Sequence, residues 1–306
     1  MTSAVRTAAT VAVAAGAGAA AWGVAVERRL FTLRRVTVSV LPAGSPDLKV
    51  LHLSDLHMAP WQRRKQRFVR ELADLQPDLV VSTGDNLGHR IGLLGLKAAL
   101  EPFRGVPGVY VWGSNDYWAP QMKNPFQYFG GPSSGGASEP ERLDTDALGA
   151  HLDSLGWTSL NNRTARVEVR GVPIDCLGTD DPHRGYDDLP ALIPGLRRLR
   201  ARKTKAAFTL GVTHAPYRRI LDAFVDRGAD LLLAGHTHGG QVCVPGFGAL
   251  VTNCDIPCDQ VKGVSPWSHD GRIATLEVSA GLGTSIYAPV RFACRPEATL
   301  LTLTAS

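Results

Sequence analysis

Five short apolar runs in this chain each stop at a histidine, an aspartate or an asparagine, and that repetition constrains its architecture more than any other feature of the sequence. LKVLHLS (48–54) leads into Asp55-Leu56-His57, LVVST (79–83) into Gly84-Asp85, and GVYVW (108–112) into Gly113-Ser114-Asn115-Asp116. AAFTLGVT (206–213) leads into His214, and ADLLLAG (229–235) into His236-Thr237-His238. Short apolar runs closed by turn residues read as buried strands. Between them the spacing turns helical: Phe68, Val69, Leu72 and Leu75 recur before Pro77, and similar patterns cover 91–101, 144–155 and 218–227. Strands alternating with helices predict an α/β protein that keeps its functional groups at the C-terminal strand ends. Ahead of these runs VTVSVL (36–41) reads as an edge strand; the second half differs, with RVEVRGVPIDCLG (166–178) as a hairpin about Gly171 and short strands predominating beyond 236. A second sheet packed on the first is expected.

Taken singly these strand ends are ordinary, because Gly-Asp after a strand usually makes a turn and a lone asparagine usually caps one. Together they carry chemistry. Residues two apart in an extended chain share a side, so Asp55 and His57 can hold one ion. Gly84 permits a tight turn that frees Asp85 to project. His236 and His238 repel when charged and gain little from packing, which makes a shared cation the better reason for the pair. Asp55, His57, Asp85, Asn115, His214, His236 and His238 are too many ligands for one tetrahedral zinc and suit two divalent metal ions. With no thiolate among them, the set points to Mn, Fe, Zn or Co. Paired cations about 3.5–4 Å apart clamp an in-line displacement and lower the pKa of bound water toward about 7, the chemistry of phosphoester hydrolysis by metal-activated hydroxide.

In order and spacing these fragments resemble the calcineurin-like metallophosphoesterase family, whose motifs are Asp-x-His, Gly-Asp, Gly-Asn-His-Asp/Glu, a lone His and Gly-His-x-His. The resemblance covers 48 to about 290, and AGHTHGGQVCVPG (234–246) is similar to the bacterial membrane-associated branch. It implies a four-layer α-β-β-α sandwich with two mixed sheets. It also implies one metal on Asp55, His57 and His238, a second on Asn115, His214 and His236, and Asp85 as the bridge. The chain departs at Gly113-Ser114-Asn115-Asp116, where the family has Gly-Asn-His-Asp. Aligned without a gap, Ser114 takes the ligand column and Asn115 that of the histidine that assists the leaving group. A one-residue slip makes Asn115 the ligand and leaves Asp116 in the histidine's place, either orienting neighbours or acting as an unusual acid. Loss of an acid worth about 10²- to 10⁴-fold favours substrates with acidic leaving groups, such as diesters or pyrophosphates.

Residues 7–26 contain no charged side chain and are long enough, at about 20 residues, to cross a bilayer as a helix. Residues 1–35 are therefore expected to be a membrane anchor or signal-like segment, with Ala19-Ala20-Ala21 as the site if it is cleaved, and 36–306 the catalytic domain. Arg28, Arg29, Arg34 and Arg35 follow the span and only Arg6 precedes it, which puts the catalytic domain on the cytoplasmic side. A net charge of +5 suits an anionic neighbour without choosing one. The basic runs RRKQR (63–67) and RRLRARKTK (197–205) could face lipid, whereas no aromatic-interleaved basic stripe supports nucleic acid. Phe126, Tyr128 and Phe129, ahead of the loop GGPSSGGASEP (130–140), are candidates to meet a lipid tail, and Trp61, Tyr117, Trp118 and Tyr287 to line a cleft. His52, His89, His151, His183 and His269 show no partner pattern. The five cysteines lack a CxxC pair and are read as free thiols. The expected activity is phosphohydrolysis of a phosphoester substrate, lipid-linked if the anchor sets its location. The alternatives are a noncatalytic scaffold and a metal-dependent nuclease.

Overall fold

The computed structural model describes residues 3–122 and 140–305, so the Phe126–Phe129 cluster and most of the Gly/Ser/Pro loop lie outside the described residues. Two six-stranded mixed sheets form the middle of the molecule. The first has the order β1 (Thr32–Leu41), β14 (Glu297–Ala305), β2 (Leu48–Leu53), β3 (Leu79–Ser82), β4 (Gly108–Tyr110), β5 (Trp157–Ser159). Strands β2 to β5 run parallel, β14 runs antiparallel to β2, and β1 is the edge. The second has the order β12 (Gly263–His269), β13 (Arg272–Val278), β9 (Leu231–Ala234), β8 (Phe208–Val212), β7 (Val172–Gly178), β6 (Arg163–Val169). A two-stranded hairpin, β10 (Cys243–Val244) and β11 (Gly248–Ala249), stands apart from both.

Alternation along each strand explains the layering. Val50, Leu79, Val81 and Val109 point from the first sheet onto Ile174, Leu210, Val212 and Leu231 of the second, making a central apolar layer. Their neighbours Leu51, Leu53 and Val80 point outward, onto α2 (Arg63–Glu71), α3 (Gly92–Leu100) and α5 (Thr145–Ser154) through Val69, Leu96, Leu148 and Leu152. On the other side Leu177, Leu232 and Leu276 meet α6 (Leu192–Arg200) and α7 (Arg218–Asp226) through Leu196, Ile220 and Phe224. Strands buried on both faces have no polar alternation, which is why LVVS and LLLA read as unbroken apolar runs. The result is the expected four-layer α-β-β-α sandwich.

Helix α6 was hidden in the sequence by its arginines. Its leucines Leu192, Leu196 and Leu199 repeat at helical spacing and are buried, so the basic run 197–205 is in part the outer face of an amphipathic helix. The run at 63–67 is likewise divided, since Lys65 and Gln66 are buried on α2. At the N-terminus α1 (Ser3–Ala25) is long and apolar enough to cross a membrane and is almost wholly uncovered by the body. Strand β1 begins at Thr32, so Thr32 to Arg35, expected within the N-terminal segment, belong to the sheet. All five cysteines are free.

Candidate metal centre

The five strand ends converge where parallel strands of both sheets finish. Ligand atoms of Asp55, His57, Asp85 and His238, all buried, lie within 4.8 Å of one another. His57 Nε2 is 3.4 Å from Asp85 Oδ2 and 3.2 Å from His238 Nε2, and His238 Nε2 is 3.5 Å from Asp55 Oδ1. On the other side of the same carboxylate, His214 Nε2 is 3.6 Å from Asp85 Oδ1 and 3.3 Å from His236 Nδ1. Asp85 thus stands between two pairs of imidazoles. Asn115, the second residue of the short helix α4 (Ser114–Tyr117), donates to it twice, from its backbone N at 2.8 Å and from Nδ2 at 2.6 Å. Ser114 turns away and donates to Asp181. An Nδ2 spent on Asp85 leaves the amide oxygen as the group able to face a cation.

Outward hydrogen bonds fix the rings. His214 Nδ1 donates to the Thr83 carbonyl at 2.7 Å, and His236 Nε2 donates to the Asn253 carbonyl at 3.1 Å. With those outward protons in place, His236 Nδ1 turns a lone pair inward toward His214 Nε2, and the space between them takes either a cation or the second proton of a charged His214. A cation bound there would take the place of that proton. Asp55, His57, Asp85, His236 and His238 also sit at positive φ (49°, 39°, 52°, 68° and 51°), a region that costs an L-residue about 1–2 kcal/mol. Five strained backbones among seven candidate ligands mark a site whose geometry is imposed. Gly113 has its own packing reason: a Cβ there would lie 2.3 Å from Asp85 Oδ1 and 2.7 Å from His214 Nε2. The residues present fit a divalent metal.

Electrostatics favours the ligating forms. Burial lowers His57 to about 4 and holds His236 and His238 well below their ordinary value, so these rings are neutral at pH 7. His214 is the exception: burial works against its charge, but Asp85 and Asp55 outweigh it and raise the ring to about 9. Burial acts upward on Asp85 too, yet His214 and His57 hold it well below the carboxylate range. Asp55 moves upward, chiefly through burial. Asp116 is enclosed: its carboxylate accepts from the backbone N of Gly113 (3.0 Å) and of Asn86 (2.8 Å), and burial followed by the nearby Asp85 raises it to about 7.

Residues given no role by sequence also gather here. His183 follows β7, a sixth strand end, and its ring centroid is 4.5 Å from that of His236 while Nδ1 lies 3.0 Å from the Tyr217 hydroxyl. The signal was the polar cluster Thr179-Asp180-Asp181 closing that strand. His52 pairs with Glu277 across the two sheets and lies 2.9 Å from Thr83 Oγ1, which donates to Ser54 Oγ, which in turn donates to Asp55. Arg291, wholly buried, donates to the carbonyls of His238 (2.8 Å), Ala280 (2.7 Å) and Gly283 (2.6 Å) and so ties down the His238 loop. Tyr287 lines a cavity of about 460 Å³ with His89, Arg90, Gln121 and Ile286. Trp61 stacks edge-on against His89 above the same region, whereas Tyr117 is bound to Asp180 and Trp118 to Tyr186.

Residues 48–240 match the family model described as calcineurin-like phosphoesterase. The chain belongs to the calcineurin-like phosphoesterase family. As a member it is a metal-dependent phosphoester hydrolase, with the buried Asp/His cluster as its candidate metal-binding site. Among similar proteins is the uncharacterized metallophosphoesterase YkoQ of Bacillus subtilis, 28% identical over 85% of this chain and 84% of that protein. The phosphodiesterase YaeI of Escherichia coli is 26% identical over 97% of this chain and 96% of its own length. A bovine transmembrane protein with a metallophosphoesterase domain is 28% identical over 72% of this chain, which spans 47% of that protein.

Proposed function

We propose that this calcineurin-like phosphoesterase is a membrane-anchored, dinuclear phosphohydrolase that acts on a phosphodiester or pyrophosphate, with the scissile group on a lipid-linked substrate. The observation that carries the dinuclear reading is the position of Asp85, whose two carboxylate oxygens face separate histidine pairs. On that reading Asp55, His57 and His238 hold one ion, Asn115, His214 and His236 hold the other, and Asp85 serves both. Two divalent ions there supply Lewis acidity and lower the pKa of a bound water toward about 7. The chain's own contribution is to fix seven ligands, five of them in strained backbone, and to keep three imidazoles neutral.

Asp116 is a positioning residue in this scheme, because its carboxylate is taken up by donors of the two ligand turns, the backbone N of Gly113 and of Asn86 and the Asn86 side-chain amide. With no histidine in the Gly-Ser-Asn-Asp turn, a leaving group that is already acidic is favoured. The Escherichia coli relative, named a phosphodiesterase, is consistent with a diester. Helix α1 and the transmembrane bovine relative support the anchor, and the arginines after α1 support a cytoplasmic catalytic domain.

The test is metal content together with hydrolysis of bis(p-nitrophenyl) phosphate by the full chain in detergent with added Mn²⁺. Two ions per chain and turnover that vanishes in Asp85→Ala are expected. Two bound ions without turnover on this activated ester would sink the diesterase reading, since its leaving group needs no acid.

A further inference from the structure

The longest uncharged stretch of the folded body lies immediately after the His236-Thr237-His238 turn: from Gly239 to Cys254 no residue carries a charge. Part of it forms the β10–β11 hairpin, which joins neither large sheet. Cys243 is buried at its root, while Val242, Val244, Phe247 and Leu250 are 42% to 76% exposed. Four exposed apolar side chains within nine residues need a partner that water does not supply.

The neighbours of the hairpin identify that partner. Its root is paired with Phe292: Cys243 N donates to the Phe292 carbonyl at 2.8 Å and Phe292 N to the Gln241 carbonyl at 3.1 Å. The preceding residue, Arg291, donates its backbone N to the carbonyl of Gly23 in the last turn of α1. A Cβ at Gly23 would lie 2.7 Å from the Arg291 carbonyl oxygen, so only glycine lets the helix approach so closely. Two consecutive residues of one segment therefore join the end of the apolar helix and the root of the apolar hairpin. Around this junction a cavity of about 480 Å³ is lined by Trp22, Lys262, Arg295 and Arg34, with Glu27 and with Glu297, which pairs with Arg34 and leaves Lys262 and Arg295 as the basic excess. Basic groups and an aromatic beside an apolar span are the composition of a membrane interface.

We propose that the hairpin at 242–250 is a second membrane contact, seating its apolar tip in the same bilayer that α1 enters. The inference rests on the reading of α1 as a membrane anchor. It holds the turn that carries His236 and His238 at the bilayer surface, where a phosphoester on a lipid can reach it without leaving the membrane.

The test uses the full chain with Cys254→Ser and Cys258→Ser, reconstituted into vesicles of neutral and anionic phospholipid. A polarity-sensitive dye is attached in turn to Phe247→Cys, Leu250→Cys, Val13→Cys in α1 and Ile273→Cys. Ile273 is exposed near the start of β13, which runs parallel to β9, and so at the sheet end away from the candidate metal centre. Quenching by doxyl-labelled acyl chains at 13, 247 and 250, with none at 273, is the expected result. Quenching at 13 alone, with 247 and 250 open to aqueous iodide, would overturn the hairpin contact and spare the anchor. Shielding of 247 and 250 from both quenchers would assign the patch to a protein, such as a second copy of the chain, and also overturns it. A bright dye at 13 would remove the anchor reading and this proposal together.

Discussion

The two histidine pairs on either side of Asp85 are supported differently. Around Asp55, His57 and His238 the supports are chiefly buried side chains, Ser54, Lys65 and Arg291, beside the one main-chain carbonyl of Gly283 that lies 3.2 Å from His238 Nδ1. Lys65 Nζ donates to the Leu56 carbonyl between two candidate ligands, and burial lowers that amine to about 7. Around Asn115, His214 and His236 the supports are main-chain carbonyls of Thr83 and Asn253, together with α4. A half held by side chains can be loosened by point substitution, whereas a half held by backbone resists it. The comparison also separates the charges, since His57 and His238 are neutral near pH 7 and His214 is not.

Asp85→Ala removes the one group common to both halves and gives the largest effect. Both ions and all turnover should be lost, read by metal analysis and by hydrolysis of the activated diester. Retention of one tightly held ion would show that the halves are independent and that Asp85 is not shared.

Arg291→Met tests the asymmetry directly. It leaves the buried carbonyls of His238, Ala280 and Gly283 without their donor, and loss of such an outer support costs about 10- to 100-fold in metal affinity. The expected product is a chain that binds one ion with near-native affinity and a second weakly, visible as two separated phases in a calorimetric titration. Equal weakening of both phases would mean that the two halves move as one unit.

Acidity should discriminate the halves next. The metal-free His214 ring, raised to about 9, binds a proton at pH 7 that a cation must displace. Each unit of rising pH therefore strengthens binding to that half by about tenfold until roughly pH 9, above which the ring is largely deprotonated and the slope flattens. His57, lowered to about 4, is deprotonated throughout that window and adds no slope. Titrations at pH 7, 8 and 9 should show one phase that tightens and one that stays level. Two phases of equal slope would contradict the assignment of the proton to His214.

Much of this was readable in the chain because local rules and global fold agree along the strands. An apolar run such as Leu79 to Ser82 is uninterrupted because both its faces are covered, and its polar end stands out for the same reason. Convergence of Asp55, Asp85, Asn115, His214, His236 and His238 follows from parallel strands ending together. The supports were not readable, since their roles are set by contacts distant in sequence. Arg291 lies 53 residues from His238 and His52 lies 225 from Glu277, and neither spacing has a period to detect. His183 escaped because Thr179-Asp180-Asp181 reads as a turn until β8 and β9 bring His214 and His236 beside it. Helix α6 escaped because five basic residues between Arg197 and Lys203 masked its leucine spacing.

The smallest effect concerns the one departure from the family pattern. Ser114 and Asn115 compete for the same ligand role in sequence, but Ser114 Oγ donates to Asp181, whereas Asn115 donates twice to Asp85. Ser114→Ala removes one hydrogen bond to the buried Asp181 carboxylate, worth about 1.5–3 kcal/mol at most, and leaves every donor to Asp85 in place. Metal stoichiometry should stay at the wild-type value, with thermal stability falling slightly. Asn115→Ala deletes the side-chain donor to Asp85 and the only amide oxygen offered by that turn, so the ion held with His214 and His236 should weaken while the other persists. The reverse outcome, with Ser114→Ala losing an ion and Asn115→Ala keeping both, would restore the ungapped alignment. It would then place Asn115 in the column of the leaving-group histidine, where an amide can donate a hydrogen bond but cannot deliver a proton.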